Sequence, residues 1–302
     1  METGEYVQGS VYFYAPNKGA PVFFAVAFAM SGALHTYNCI HYKSWRLTGL
    51  YVFCALLFTV GFIIREAGAF DYGDLIKYIV STCLIYAAPP LLELANYNVL
   101  GRILYYAPYH SPIHPGRVIS TFAFISIVIE ILNGNGVAYS VNQSLTPAQQ
   151  DMGRALLKAA LVMQLGVLFL FTLLAGTFHR RCVRAGLRNP NLLNALYTLY
   201  ASTFLLAVRT VFRVGRATLM LLNHVLMNVR HPRKYLPQST KTYLALDGVT
   251  EVKGPGYKDG RPFVVTLLDP FDLWGLVKGR DKETRFWEVG EGKVVRDGEA
   301  QV

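Results

Sequence analysis

Glu130 stands twelve residues into an apolar run, Val118–Ala138, and Glu93 lies inside another, Leu75–Leu100. Asn96 and Tyr97 follow Glu93 by about one helical turn, and Asn133 follows Glu130 in the same way. Gln164 is near the middle of a further apolar run, and Arg209 and Arg213 lie toward the end of the next. At the centre of a membrane helix an ionisable group costs at least ~2.5–3.5 kcal/mol on insertion scales, so it persists where it faces a partner or a polar cavity. The chemistry these residue types offer is recognition of a charged or hydrogen-bonding head group. Glu93, Asn96, Tyr97, Glu130, Asn133, Gln164, Arg209 and Arg213 are therefore the candidate substrate-binding residues. Matching depth and opposite charge pair Glu130 with Arg209, either as a packing pair or as part of a working site.

Bond-making chemistry is not indicated. The chain has no GxxxxGK[ST] phosphate loop, HExxH or GxSxG. His110 and His114 have HxxxH spacing, but Pro112 between them and Pro115 after them oppose a helix presenting both to a metal. His35 and His41 read as interfacial side chains rather than ligands. Cys39, Cys54, Cys83 and Cys182 have neither metal-ligand spacing nor a disulfide pattern, and read as small packing residues. The sequence thus describes a non-enzyme, with no cofactor and no metal site.

The elements that must carry these residues are apolar runs without a polar face. Six have roughly the length of a membrane crossing: Ala20–Ile40, Leu47–Ile64, Leu75–Leu100, Val118–Ala138, Ala155–Phe178 and Leu192–Phe212. A hydrocarbon core about 30 Å thick needs roughly 20 residues at 1.5 Å each. A seventh run, Ala217–Val229, reaches only about 20 Å. The chain of 302 residues is 53% hydrophobic, with a mean hydropathy of +0.30. The expected fold is an all-α polytopic membrane protein with six full transmembrane helices, a shortened seventh and a mostly irregular C-terminal tail.

The net charge of +10 gathers in the loops between runs, which reads as membrane orientation rather than nucleic-acid binding. Lys43 and Arg46 follow the first run, Arg102 and Arg117 flank the third loop, and Arg180, Arg181, Arg184 and Arg188 follow the fifth run. The fourth loop, Tyr139–Asp151, has no Lys or Arg and carries the glycosylation triplet Asn142-Gln143-Ser144. This pattern puts residues 1–19 outside, the helical domain at 20–230, and loops one, three and five inside. Arg230, Arg233 and Lys234 place the tail, 231–302, in the cytoplasm, which requires seven crossings.

Two local features bear on that count. Arg213-Val214-Gly215-Arg216 separates the sixth run from the short seventh, so the chain either continues as one long helix or turns back near Gly215. Pro89-Pro90 is expected to kink or break the third helix, and Asn133-Gly134-Asn135-Gly136 to end the fourth. In the tail, Tyr243–Val249 and Phe263–Leu268 suit short strands, with turns at Asp247-Gly248 and Asp259-Gly260. Asp269–Trp274 is the candidate docking element.

Several of these local sequences, in this order, resemble one family. They are Tyr14-Ala15-Pro16, Gly61–Glu66, Ala88-Pro89-Pro90 with Asn96-Tyr97 and Leu100–Ile103, Phe124–Glu130 with the Asn-Gly repeat, Gly153–Lys158, Phe178-His179-Arg180, Val208–Arg213 and His231-Pro232. Together they resemble the fungal lipid-translocating exporter family. The resemblance implies seven helices with an outside N-terminus and a plasma-membrane location. It also implies export of, or resistance to, amphiphiles such as sphingoid long-chain bases and sterol-like compounds. The partner would be a membrane lipid or amphiphilic small molecule. Relative to the family pattern, the outer half of the seventh helix and the loop before it are missing, since Gly215-Arg216 runs directly into Ala217-Thr218. A receptor-like or regulatory seven-helix protein responding to lipid stress fits the same architecture.

Overall fold

The computed structural model describes residues 17–71, 73–141, 145–212, 216–239 and 241–254, with positions 265, 269, 274 and 293–294 beyond them. Among these residues seven α-helices have a full range, in order: α1 Ala20–His41, α2 Trp45–Gly68, α3 Leu75–Tyr106, α4 Arg117–Val141, α5 Pro147–Arg184, α6 Pro190–Val211 and α7 Arg216–Val229. Among the described residues, α1 to α6 are long and apolar enough to cross a membrane. All six leave large apolar side chains exposed, including Phe23, Ile63, Ile76, Ile131, Phe169 and Phe204. Apolar exposure on this scale is what lipid, not water, accommodates.

The ends of the helices follow from local chemistry. Thr146 and Gln149 form a reciprocal capping box at the start of α5, with Pro147 in the first turn. At the other end of α5, Gly186 takes the left-handed conformation (φ 74°), and Leu187 N–H reaches back to Cys182 O at 3.0 Å. α1 closes in the same way, with Ser44 N–H on Cys39 O at 2.9 Å, but there the left-handed residue is Lys43 (φ 47°).

Three expectations about helix ends are corrected. Of the kink or break expected at Pro89-Pro90, the break does not occur, and α3 runs on to Tyr106; lost backbone donors are tolerated in membrane helices where neighbours satisfy the freed groups. The Asn-Gly repeat does not end α4, which continues to Val141. A Cβ at Gly136 would lie 3.0 Å from Leu157 N and 3.1 Å from Gly153 O, so this glycine serves the close approach of α4 and α5. The basic segment after the fifth run is also helical as far as Arg184. Helix α5 is about 57 Å long by its 38 residues.

The chain forms two compact units. The first contains α1, α2, α3 up to Ala95, and α7. Its core stacks Phe28 on Phe58 at 4.3 Å, with Phe62 beside them. Gly32 meets Ala55, and Gly61 meets Ile85 and Leu84, which lets α2 approach both α1 and α3. Helix α7 runs alongside α1 in the same direction: Phe28 meets His224, Ser31 and His35 meet Asn228, and Tyr42 meets His231. The end of α7 therefore lies at the α1–α2 turn, where His231 Nε2 is 3.2 Å from Thr48 Oγ1.

The second unit contains α3 from Asn96, then α4, α5, α6 and the tail. In the tail, β1 Thr242–Leu244, β2 Glu251–Lys253 and β3 Lys293–Val294 form an antiparallel sheet in that order, with Tyr243 opposite Val252. The turn at Asp247-Gly248 is as expected, and the strand before it is shorter than Tyr243–Val249. The Thr250 hydroxyl, then the backbone N–H groups of Val249 and Thr250 at 3.0 and 2.9 Å, donate to Asp247 and hold its carboxyl below the usual carboxylate range. Gly248 has φ 72°, a left-handed conformation that favours glycine, and a Cβ there would push on Leu187 Cδ1 at 2.5 Å. Phe263–Leu268, Asp259-Gly260 and Asp269–Trp274 fall largely outside the described residues, as does Tyr14-Ala15-Pro16.

Candidate functional site

Glu130 lies on the fourth turn of α4, half-buried, with Asn133 on the next turn as a hydrogen-bond partner and the positive charge of Arg209 from α6 acting on it. This brings together three of the sequence-predicted residues. A carboxylate, an amide and a guanidinium at bilayer depth can bind the polar head of an amphiphile, because each can exchange its partner for a ligand group at little net cost. Gln164, on α5, is also half-buried.

Asn96 and Tyr97 are placed differently. Asn96 is fully buried and exchanges hydrogen bonds with Ser202 of α6: its Nδ2 donates to Oγ at 2.9 Å, and the hydroxyl donates to Oδ1 at 3.1 Å. The Tyr97 hydroxyl is 3.2 Å from Ser126 Oγ on α4. Its ring packs 5.2 Å from Phe122 and 5.3 Å from Phe171. Both residues join helices, and their polar atoms are engaged in doing so. Glu93 is buried on the part of α3 that belongs to the first unit. Arg213 and Asn142 lie outside the described residues.

Two polar clusters were not anticipated. In the first unit, Asn228 of α7 bonds His35 Nδ1 and donates to Ser31 O and Oγ at 3.0 and 2.9 Å. His35, expected at the interface, is instead fully buried, whereas His41 is exposed. His224 and Asn223 are also fully buried, and among the described residues neither their side-chain atoms nor His35 Nε2 meet a hydrogen-bonding partner. The visible signal was spacing: Ser31 and His35, like His224 and Asn228, are four apart and share a helix face.

In the second unit, Arg102 is completely buried. Its guanidinium donates to the carbonyls of Ser239 (2.7 Å), Thr242 (3.1 Å) and Pro237 (3.4 Å), and lies over the Tyr105 ring. The Tyr105 hydroxyl donates to Lys241 O and the Tyr106 hydroxyl to Glu251. Three polar residues in the last turns of α3, Arg102, Tyr105 and Tyr106, thus hold the start of the tail. Nearby, Arg181 of α5 donates to Ser111 O at 3.3 Å, and burial together with that guanidinium keeps the His110 imidazole below its usual range.

Comparison with known proteins gives this architecture a family. The family model described as RTA1 like protein matches residues 51–218. The chain is 38% identical to the lipid-translocating exporter-like protein RTA1 of Leptosphaeria maculans, over 92% of this chain and 61% of that protein. It is 29% identical to the protein of the same name from Ajellomyces capsulatus, over 76% of this chain and 82% of the relative. It is 24% identical to the probable lipid transporter atnI of Emericella nidulans, over 69% and 58%. The chain spans about three fifths of the length of the first of these relatives. No solved structure matches it. With six apolar helices of spanning length and a family match over more than half its residues, the chain is an integral membrane protein of the RTA1-like family.

Proposed function

We propose that this protein moves amphiphilic lipids across the bilayer, as a carrier rather than an enzyme, in the plasma membrane of a fungus. The observation that carries this reading is the Glu130–Asn133–Arg209 group, a charged and hydrogen-bonding set on helices otherwise suited only to lipid. The names of the three relatives support it. Sphingoid long-chain bases suit Glu130 because their amine complements a carboxylate; sterol-like compounds are the second class. Gln164, Asn96 and Tyr97 are proposed to shape the path beside Glu130; Glu93 and Arg213 are proposed as further substrate-binding residues in their own right, and Asn142 is proposed to carry a glycan.

The proposed orientation has residues 1–19 outside, 20–230 in the membrane and 231–302 in the cytoplasm. Its support is the course of α7, which ends beside the α1–α2 turn that carries Lys43. The test is transfer of a fluorescent long-chain amine across reconstituted vesicles. Losing one charge-assisted contact costs about 1.5–3 kcal/mol, so Glu130→Gln should slow transfer roughly tenfold or more at equal incorporation. An unchanged rate would remove Glu130 from the site, and no transfer by the parent protein would end the carrier reading.

A receptor-like role is the second reading. It is favoured by the start of the tail, which Arg102 holds through the carbonyls of Ser239 and Thr242. Tail-dependent capture of a cytoplasmic partner without lipid movement would support it.

A further inference from the structure

The first unit contains a groove that the proposed translocation site does not use. It is lined by Val22, Ala25, Val26 and Ala29 of α1 and by Thr59, Ile63 and Glu66 of α2, and has a volume of about 300 Å³. From Thr59 to Glu66 its wall covers two helical turns, about 10 Å. Val22, Val26 and Ile63 are exposed, so the groove opens toward lipid. Its one ionisable lining residue, Glu66, stands at the end where α1 begins and α2 ends.

Glu66 is a carboxyl group with spare hydrogen-bonding capacity. Its Oε2 accepts the backbone N–H of Gly19 at 3.2 Å. Among the described residues, no Lys, Arg or His forms an ion pair with it. The two acidic residues in the loop that follows differ: Asp71 and Asp74 both contact Lys77 Nζ, at 3.3 and 3.0 Å. An ionised carboxylate has about four lone-pair sites, and a single amide uses one. A membrane protein that leaves such a group at the head of an apolar slot offers charge at one end and chain contacts along the rest.

We propose that this groove binds a single-chain amphiphile with an ammonium head, the head on Glu66 and the chain along α1 and α2. The volume is at the lower end of the range for small-ligand sites, about 300–1,000 Å³, which favours one chain over two. The carboxylate disfavours a phosphodiester head through like-charge repulsion and gives a neutral sterol no charge to meet. On the proposed orientation the site faces the outer leaflet. The inference deepens the amphiphile reading but uses different residues.

The experiment is equilibrium binding to the purified full chain in detergent micelles. The probes are a long-chain primary amine with a fluorophore at the chain end and the matched long-chain alcohol. Glu66→Gln keeps an oxygen for the Gly19 N–H and removes the charge. It should raise the Kd of the amine about tenfold and leave the alcohol unchanged. Ala29→Phe fills the slot without touching Glu66 and should weaken both probes. Unchanged amine binding in either variant overturns the proposal. So does equal weakening of both probes by Glu66→Gln with a lowered thermal midpoint, which would make Glu66 only a cap for α1. Vesicle transfer and micelle binding separate the two claims. Loss of transfer with this binding pattern intact removes the carrier function alone, and the reverse removes the groove alone.

Discussion

Lys43 occupies a conformation that glycine fills at the end of α5. Both turns share the same pair of backbone hydrogen bonds, yet one has Gly186 in the left-handed region and the other a side chain that pays a steric penalty there. That penalty is about 1–2 kcal/mol for an L-residue. Lys43→Gly should therefore raise the thermal midpoint of the purified protein by a few degrees, less the greater chain entropy of glycine; an unchanged or lower midpoint would contradict it. Individual residues were legible in the sequence where depth alone decides their cost. Glu130 is the clear case, since a carboxylate twelve residues into an apolar run needs a partner whatever the fold. Arg102 was not legible. It sits two residues past the expected end of the third run and reads as a loop charge, and only the extension of α3 to Tyr106 makes it a buried one.

At the scale of elements, the same reasoning separates what water-based rules predict from what lipid allows. Six of the seven helices follow directly from apolar length. The Asn-Gly repeat and the double proline mislead because glycine, asparagine and proline end helices chiefly in water. In a membrane, glycine is used where two backbones must meet. Position decides between these uses. A Cβ at Gly153 would fall 2.7 Å from Ser140 N, a backbone atom that cannot move aside, whereas one at Gly134 meets nothing within 4 Å. Gly153→Ala should thus destabilise the α4–α5 pair by about 1–3 kcal/mol. Gly134→Ala should be neutral or stabilising by up to about 1 kcal/mol. Thermal unfolding of the two variants in one detergent checks this, and equal effects would show that the crossing is not held by close backbone contact.

The whole molecule depends on contacts far apart in sequence, and these are what a single sequence conceals. The Asp247-Gly248 turn could be read locally, but nothing near it indicates that residues 237–242 supply three carbonyls to an arginine more than 130 positions earlier. Removing one member of a buried charge-assisted set leaves the rest unsatisfied. Arg102→Gln should release the tail, so that protease cuts it about tenfold faster in inside-out vesicles. In sealed right-side-out vesicles the tails of both proteins should resist. Equal cleavage rates would show that Arg102 does not hold the tail, and cleavage in right-side-out vesicles would refute a cytoplasmic tail.

The course of α7 beside α1 also has a consequence for biogenesis. Fourteen residues that include Asn223, His224 and Asn228 gain too little from lipid to leave water unaided. Asn228 is received by Ser31 and His35, on a helix made nearly two hundred residues earlier. Helix α7 is thus placed by an already inserted protein surface rather than by its own hydrophobicity. Defects in α1 should appear first as chains whose C-terminal part never settles.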